Sequence, residues 1–120
     1  MKNLIKVVLL IVLLFAAVFA QDKEVPMPIG GINALMVNVK YPEKAHEEGL
    51  EGKVILQVIV DKSGAVVGTV VKNSAGEDFD NAAINAVKKT KFIPAEKDGK
   101  KIKASVVIPF QFKLGSDSKK

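Results

Sequence analysis

The chain has 120 residues, no cysteine and a formal net charge of +5, which allows one small domain. The absence of cysteine excludes a disulfide framework, a thiolate nucleophile and a cysteine-ligated metal. All 18 basic residues are lysine, and the chain has one tyrosine and no tryptophan. Nucleic-acid binding typically uses bidentate arginine contacts and aromatic side chains that stack on bases. Because the chain offers little of either, we expect no nucleic-acid partner.

Residues 1–20 have the pattern of a secretory signal peptide. Lys2 and Lys6 precede the uninterrupted apolar run VVLLIVLLFAAVFA, and Ala20 precedes a plausible cleavage point. The run from Val7 to Ala20 is shorter than the roughly 20 residues needed to span a bilayer. A cleaved signal is therefore favoured over its alternative, a short inner-membrane anchor. In either case we expect the folded part to be exported.

Residues 21–31 (QDKEVPMPIGG) combine two prolines, two glycines and three charges, a composition that predicts a flexible tether. Fully extended, the roughly 20 residues from Gln21 to Lys40 reach at most about 70 Å. We expect the folded domain to cover residues 32–114 and to be followed by a disordered tail at 115–120.

Two short helical segments are predicted before the first strand. Residues 32–39 carry apolar side chains at helical spacing, although a short strand also fits. After Tyr41, Pro42 suits the first turn of a second helix, and Gly49 is placed to end it. His46 in this helix is the only histidine of the chain. Because it has no His or Cys partner in sequence, we expect it on the surface and not in a metal or catalytic site.

A β-hairpin follows. Residues 52–61 alternate, with Val54, Leu56, Val58 and Val60 on one face. DKSG at 61–64 is a turn sequence with glycine where a positive φ is tolerated, and residues 65–73 resume the strand pattern in the antiparallel direction.

The hydrophobic period then changes to that of a helix. Asp80 is predicted to be the N-cap of a helix at 81–89, and Phe79 and Ile84 have the spacing of a hydrophobic staple. A helix between two strands of one sheet is the crossover of a split βαβ unit.

The last predicted strand, at 102–114, has the clearest alternation. Its apolar face carries Ile102, Ala104, Val106, Ile108, Phe110, Phe112 and Leu114, and its other face carries Lys103, Ser105, Val107, Pro109, Gln111 and Lys113. Pro109 has no N–H for a ladder on both sides, which places this strand at a sheet edge. Lysines guard such edges, but an open edge also accepts an added strand. We therefore predict partner binding along Ser105, Val106, Val107, Ile108, Pro109, Phe110, Gln111 and Phe112.

Taken together, these motifs resemble the TonB C-terminal domain family over residues 41–114. The resemblance rests on YPEKA with Gly49 and Gly52, on VIVDKSGAV, on FDNAAINAVKKTKFIPA, and on DGK followed by VVIPFQF. It implies a small α+β fold with two short helices packed on a three-stranded antiparallel sheet, a split βαβ unit whose last strand lies at an edge. The residues of the structural motifs are then Tyr41, Pro42, Gly52, Gly64, Phe92, Pro94 and Ala95.

The resemblance also implies a function. Family modules bind the TonB box, an extended segment of outer-membrane transporters, by strand addition, and an inner-membrane anchor couples them to ExbB and ExbD. Family transducers have a long proline-rich spacer and an anchor histidine, and this sequence has a short tether and no such histidine. We therefore expect a stand-alone periplasmic domain that supports energy-dependent transport, without enzymatic activity or a cofactor. The alternatives are a complete inner-membrane transducer and a domain that forms a homodimer through its edge strand.

Overall fold

The computed structural model describes residues 24–114, so the predicted signal peptide and the predicted tail lie outside the described residues. The elements in chain order are β1 (Met27–Pro28), α1 (Gly31–Val37), α2 (Glu43–Glu47), β2 (Gly52–Val60), β3 (Val66–Asn73), α3 (Glu77–Lys88), β4 (Phe92–Ile93), β5 (Ala95–Lys97), β6 (Lys100–Ile102) and β7 (Ala104–Phe112).

The main sheet has three antiparallel strands in the order β3-β2-β7. β7 pairs with β2 over nine residues, from Gly52 opposite Phe112 to Val60 opposite Ala104. The side chains that alternate to the core face of β2 are fully buried, as the sequence predicts: Val54, Leu56, Val58 and Val60. The small antiparallel α+β fold is confirmed, and so is the position of the last strand at an edge.

Three helices contribute buried side chains to the core, one more than the resemblance implies. α3 packs against β2 and β3 and buries Phe79, Ala83, Ala86 and Val87. The additional helix is α1, so the helical interpretation of the segment after residue 31 was correct and the strand alternative was wrong. Its Leu35 is fully buried and joins the same core.

The crossover helix begins earlier than predicted. α3 starts at Glu77, after Gly76, so Asp80 lies in its first turn and is not its N-cap. The Asp80 carboxylate instead reaches back to the preceding loop, where it accepts hydrogen bonds from the Ser74 hydroxyl (2.5 Å) and the Ala75 N–H (3.0 Å). Aspartate is favoured in both positions, at the cap and near the positive end of the helix dipole, and the sequence pattern did not distinguish them.

The described part of the predicted tether is ordered and packed. Pro26 and Pro28 are fully buried, β1 pairs with β4, and the Ile29 N–H donates to the Lys91 carbonyl (2.9 Å). The prediction of a flexible segment through residue 31 therefore differs from the structure at residues 26–29. Proline loses almost no side-chain entropy on burial, so two prolines one residue apart anchor this strand although their composition suggests a linker.

A second hairpin, formed by β5 and β6, precedes the last strand. Ala95 pairs with Ile102, and the turn carries Asp98 and Gly99 at φ +55° and +76°, the combination required by a type I′ turn. Ile102 therefore belongs to this hairpin and not to the last strand, which begins at Ala104.

The turn between β2 and β3 is organised by Asp61. Its Oδ1 accepts hydrogen bonds from the Ser63 hydroxyl (2.6 Å), the Ser63 N–H (2.9 Å) and the Ala65 N–H (3.0 Å). The hydrogen bond from the Ser63 side chain, followed by that from the Ala65 backbone, lowers the pKa of Asp61 below its ordinary value of 3.8. The turn therefore favours the charged carboxylate.

This pKa shift predicts a pH-dependent contribution to stability. Because the pKa of Asp61 is lower in the folded state, the carboxylate stabilises the fold above pH 3.8, and this contribution is lost as the pH falls through the folded pKa. We expect Asp61→Asn to lower the free energy of unfolding at pH 7 and to have a smaller effect near pH 3. Urea unfolding at the two pH values tests this, with Asp98→Asn in the other turn as the control for loss of a surface charge. An equal loss at both pH values would contradict the assignment.

Candidate functional site

The candidate site is the free edge of β7, on the side of the strand that faces away from β2. Ile108, Phe110 and Phe112 are buried against the core, while Val107 is 55% exposed and Pro109 is also exposed. Among residues 24–114, β7 pairs with β2 and with no other strand. The predicted alternation of β7 and its open edge are therefore both present.

Hydrogen bonds at the two ends of β2 show which way its backbone groups point. The Asp61 N–H donates to the Ala65 carbonyl (2.9 Å), and the Lys53 carbonyl accepts from the Asn73 side chain (2.8 Å). Both acceptor and donor partners lie on the β3 side. Since successive residues of a strand point their backbone groups to opposite sides, the odd-numbered residues of β2 face β3 and the even-numbered ones face β7.

This alternation fixes the open groups of β7. Pro109 lies opposite Ile55, an odd-numbered residue of β2, so its backbone faces away from β2. The Leu114 N–H, an even-numbered position just after β7, donates toward the β2 side to Glu51 Oε2 (2.8 Å), in agreement. The residues whose backbone groups face outward are Ser105, Val107, Pro109 and Gln111. The even-numbered residues of the predicted site direct their backbone groups toward β2, and their side chains pack against the core.

The opposite edge of the sheet is less regular. The pairing of β3 with β2 shifts register twice, so that Val67 and Lys72 are extra residues on β3. Such bulges twist an edge and interrupt its hydrogen-bonding groups, which protects it from strand addition. β7 keeps one register over nine residues and is therefore the better template for an added strand.

Tyr41 links α2 to the end of β7. Its ring makes edge-to-face contacts with Phe79 and Phe112, with centroids 5.7 Å apart in each case, and its hydroxyl donates to the Leu50 carbonyl. Partial removal from water, followed by the charge of Glu51, raises the pKa of Tyr41 above 10.0. The hydroxyl therefore remains a donor, and Tyr41 supports the β7 strand from the core side without reaching its edge.

The other motif residues also support packing. Pro42 precedes α2 with an extended backbone, and Ala95 is fully buried. Gly52 is packed so closely that a Cβ there would lie 2.7 Å from Ala75 Cβ. The Phe92 N–H donates to the Gly64 carbonyl (3.1 Å), and Pro94 lies beside the same glycine. These residues position the sheet and do not line the open edge of β7.

Sequence reasoning missed the division of the site into two backbone classes. Alternation of apolar and polar residues shows where side chains lie, but not whether a residue's N–H points to β2 or to solvent. That direction depends on the pairing register with β2, which sequence alone does not give. The one available signal was Pro109, because proline is tolerated in an edge strand where its nitrogen faces outward.

The described residues offer little for other chemistry. Within residues 24–114, no group of three or more His, Cys, Asp or Glu side chains is arranged to hold a metal ion. In the same range, no helix has the length and hydrophobicity required to cross a bilayer.

The fold and this edge define a small α+β domain with an exposed, regular strand. Residues 37–114 match the family described as Gram-negative bacterial TonB protein C-terminal, and the chain belongs to this family. The predicted family is thus confirmed, and because its members are not enzymes, so is the expectation that this chain is not an enzyme.

Similar proteins agree with this assignment. The chain is 41% identical to "Protein TonB" of Xanthomonas campestris pv. campestris (strain B100) over 76 residues, which are 62% of this chain and 34% of that protein. It is 34% identical to "Protein TonB" of Vibrio cholerae serotype O1 over 79 residues, 65% of this chain and 32% of that protein. The chain thus spans about a third of the length of these curated relatives.

Two solved structures have the same fold. The solution NMR structure of the Pseudomonas aeruginosa TonB CTD superposes with a TM-score of 0.54 at 28% identity, covering 62% of this chain and 77% of that one. The NMR solution structure of Helicobacter pylori TonB-CTD (residues 179–285) has a TM-score of 0.52 at 23% identity and covers 71% of this chain and 78% of that one. The second comparison shows the fold alone.

Proposed function

We propose that this chain is an exported periplasmic module that binds the TonB box of an outer-membrane transporter by strand addition along β7, and so supports energy-dependent transport. The observation that carries the proposal is the continuous edge of β7, with outward backbone groups at Ser105, Val107, Pro109 and Gln111. An extended peptide gains affinity from main-chain hydrogen bonds to such an edge and specificity from its alternate side chains.

The packing of β1 supports a stand-alone module over the complete inner-membrane transducer coupled to ExbB and ExbD. Because β1 is paired from Met27, the connection from Ala20 to β1 spans at most about 25 Å when fully extended. A domain held by residues 1–20 in the inner membrane would stay beside that membrane unless β1 detached. N-terminal sequencing of the exported protein distinguishes the two forms, because the stand-alone module would begin at Gln21.

The homodimer is the second candidate, since two open β7 edges could pair with each other. The outward groups that serve a guest strand would then be occupied by a second copy, and guest binding would compete with dimerisation.

Peptide binding can be mapped by NMR. We expect a synthetic peptide carrying a TonB box to shift amide signals at residues 105–112, most strongly at the outward donors of Ser105, Val107 and Gln111. The matched control is the same peptide N-methylated at alternate residues on its pairing edge, which removes its donors and should abolish the shifts. Shifts confined to residues 54–71 would show that the guest pairs with the β3 edge instead.

A further inference from the structure

Pro109 lies at the centre of the open edge of β7. It is opposite Ile55 in a ladder that continues in register on both sides, and its nitrogen faces away from β2. The missing N–H therefore leaves the β2 ladder intact. It is instead missing from the outward row, between the donors of Val107 and Gln111.

We infer that Pro109 makes this edge selective for a single guest strand and unfavourable for pairing with a second copy of itself. Two copies of one edge pair about a two-fold axis, so each contributes the same residues to the interface. Both Pro109 residues then enter together. A guest strand from another protein meets only one Pro109. The self-paired interface therefore lacks two N–H donors, whereas the guest interface lacks one.

The register that uses the whole outward row shows the effect. With the two-fold axis at Ile108, Ser105 pairs with Gln111, and Val107 of each copy pairs with Pro109 of the other. Each Val107–Pro109 pair lacks the bond from residue 109 to the Val107 carbonyl. Half of the hydrogen bonds at the centre of the interface are therefore absent. The Val107 carbonyl of each copy faces the Pro109 ring of the other copy and has no donor there.

Pro109 therefore discriminates between two kinds of partner, in addition to protecting an exposed strand. Because the symmetric pairing doubles the loss, removal of Pro109 should favour dimerisation more strongly than guest binding. The guest half of this comparison rests on the proposed function, whereas the self-association half needs no guest.

The test uses residues 21–120, which contain every residue of the buried core, from Leu35 to Phe112. We expect the unmodified domain to stay monomeric from micromolar to high micromolar concentration in sedimentation equilibrium. Pro109→Ala restores one outward donor per copy, and should lower the dimer Kd by about ten- to a hundredfold, the effect of two ordinary hydrogen bonds. Amide spectra of each variant check that the fold is unchanged.

A double variant serves as the matched control. Val107→Pro combined with Pro109→Ala moves the missing donor by two residues along the same outward row and again removes half of the central bonds. It should return the domain to the monomer. If Pro109→Ala stays as monomeric as the unmodified domain, or if the double variant dimerises as tightly as Pro109→Ala, the inference is overturned.

Binding of the TonB-box peptide completes the test. Pro109→Ala adds one donor to the guest interface, so its peptide affinity should rise by no more than about tenfold, less than the gain in dimerisation measured on the same protein. An equal or larger gain for the peptide would remove the discrimination that we infer. If neither protein binds the peptide while Pro109→Ala still dimerises, the proposed function fails and the rejection of self-pairing stands.

Discussion

Gly64→Ala is expected to destabilise the domain by about 3 kcal/mol or more. Gly64 has φ +90°, in the left-handed region that L side chains avoid. A Cβ built on it would lie 2.3 Å from the Phe92 carbonyl oxygen and 3.4 Å from its carbon. Because the obstacle is backbone and not the end of a flexible side chain, one of the two segments has to move.

The movement would affect more than the turn. The Phe92 N–H donates to the Gly64 carbonyl, and the Phe92 side chain is buried in the core. Phe92 also pairs with Pro28 in the β1–β4 ribbon. Separating the two segments would therefore weaken a hydrogen bond, a core contact and the attachment of β1 together.

Gly99→Ala is the matched control, measured by urea unfolding of the same domain. Gly99 has φ +76° and, among the described residues, no atom lies within 4 Å of its built Cβ outside its immediate neighbours. It should show the backbone strain alone, about 1–2 kcal/mol. Equal losses for the two variants would mean that the close approach of Gly64 to Phe92 contributes nothing.

Val107→Pro is expected to weaken peptide binding and leave the fold stable, whereas Val106→Pro is expected to destabilise the fold. The backbone N–H of Val107 faces outward, so proline there should change the free energy of unfolding by less than about 1 kcal/mol. It should lower the affinity for the TonB-box peptide by about tenfold. Val106 lies opposite Val58 and faces β2. Proline at 106 removes a ladder bond inside the sheet and should cost at least about 2 kcal/mol of stability.

Urea unfolding and peptide titration of both variants provide the comparison. The two positions are adjacent, have the same side chain and receive the same replacement, so the variants differ in the direction of the lost N–H and in the side chain's burial. Strong destabilisation by Val107→Pro would show that the backbone groups of the odd-numbered residues form hydrogen bonds with β2. Unchanged peptide affinity in a stably folded Val107→Pro domain would remove β7 as the docking strand.

Features that depend on local pattern were predictable from the sequence. The alternation of Val54 to Val60 and of Ile108 to Phe112 defined the buried faces, and Pro109 indicated an edge strand. Each of these signals comes from a side-chain property that acts within a few residues.

Features that depend on long-range contacts were not predictable in the same way. The burial of Pro26 and Pro28 requires β4, which is more than 60 residues away along the chain. The outward direction of the β7 backbone groups depends on the register with β2. Asp80 was misassigned because its carboxylate binds the loop before the helix, and that loop's path is set by tertiary packing.

The long antiparallel ladder between β2 and β7 has a mechanical consequence. Its hydrogen bonds lie perpendicular to the strands, so a force along the axis of β7 would load all the hydrogen-bonded pairs of the ladder, which are every second pair from Gly52–Phe112 to Val60–Ala104, in shear at the same time. A pull at right angles would peel them apart one after another and meet much less resistance. The β2–β7 ladder should therefore resist a force along β7 better than a force across it.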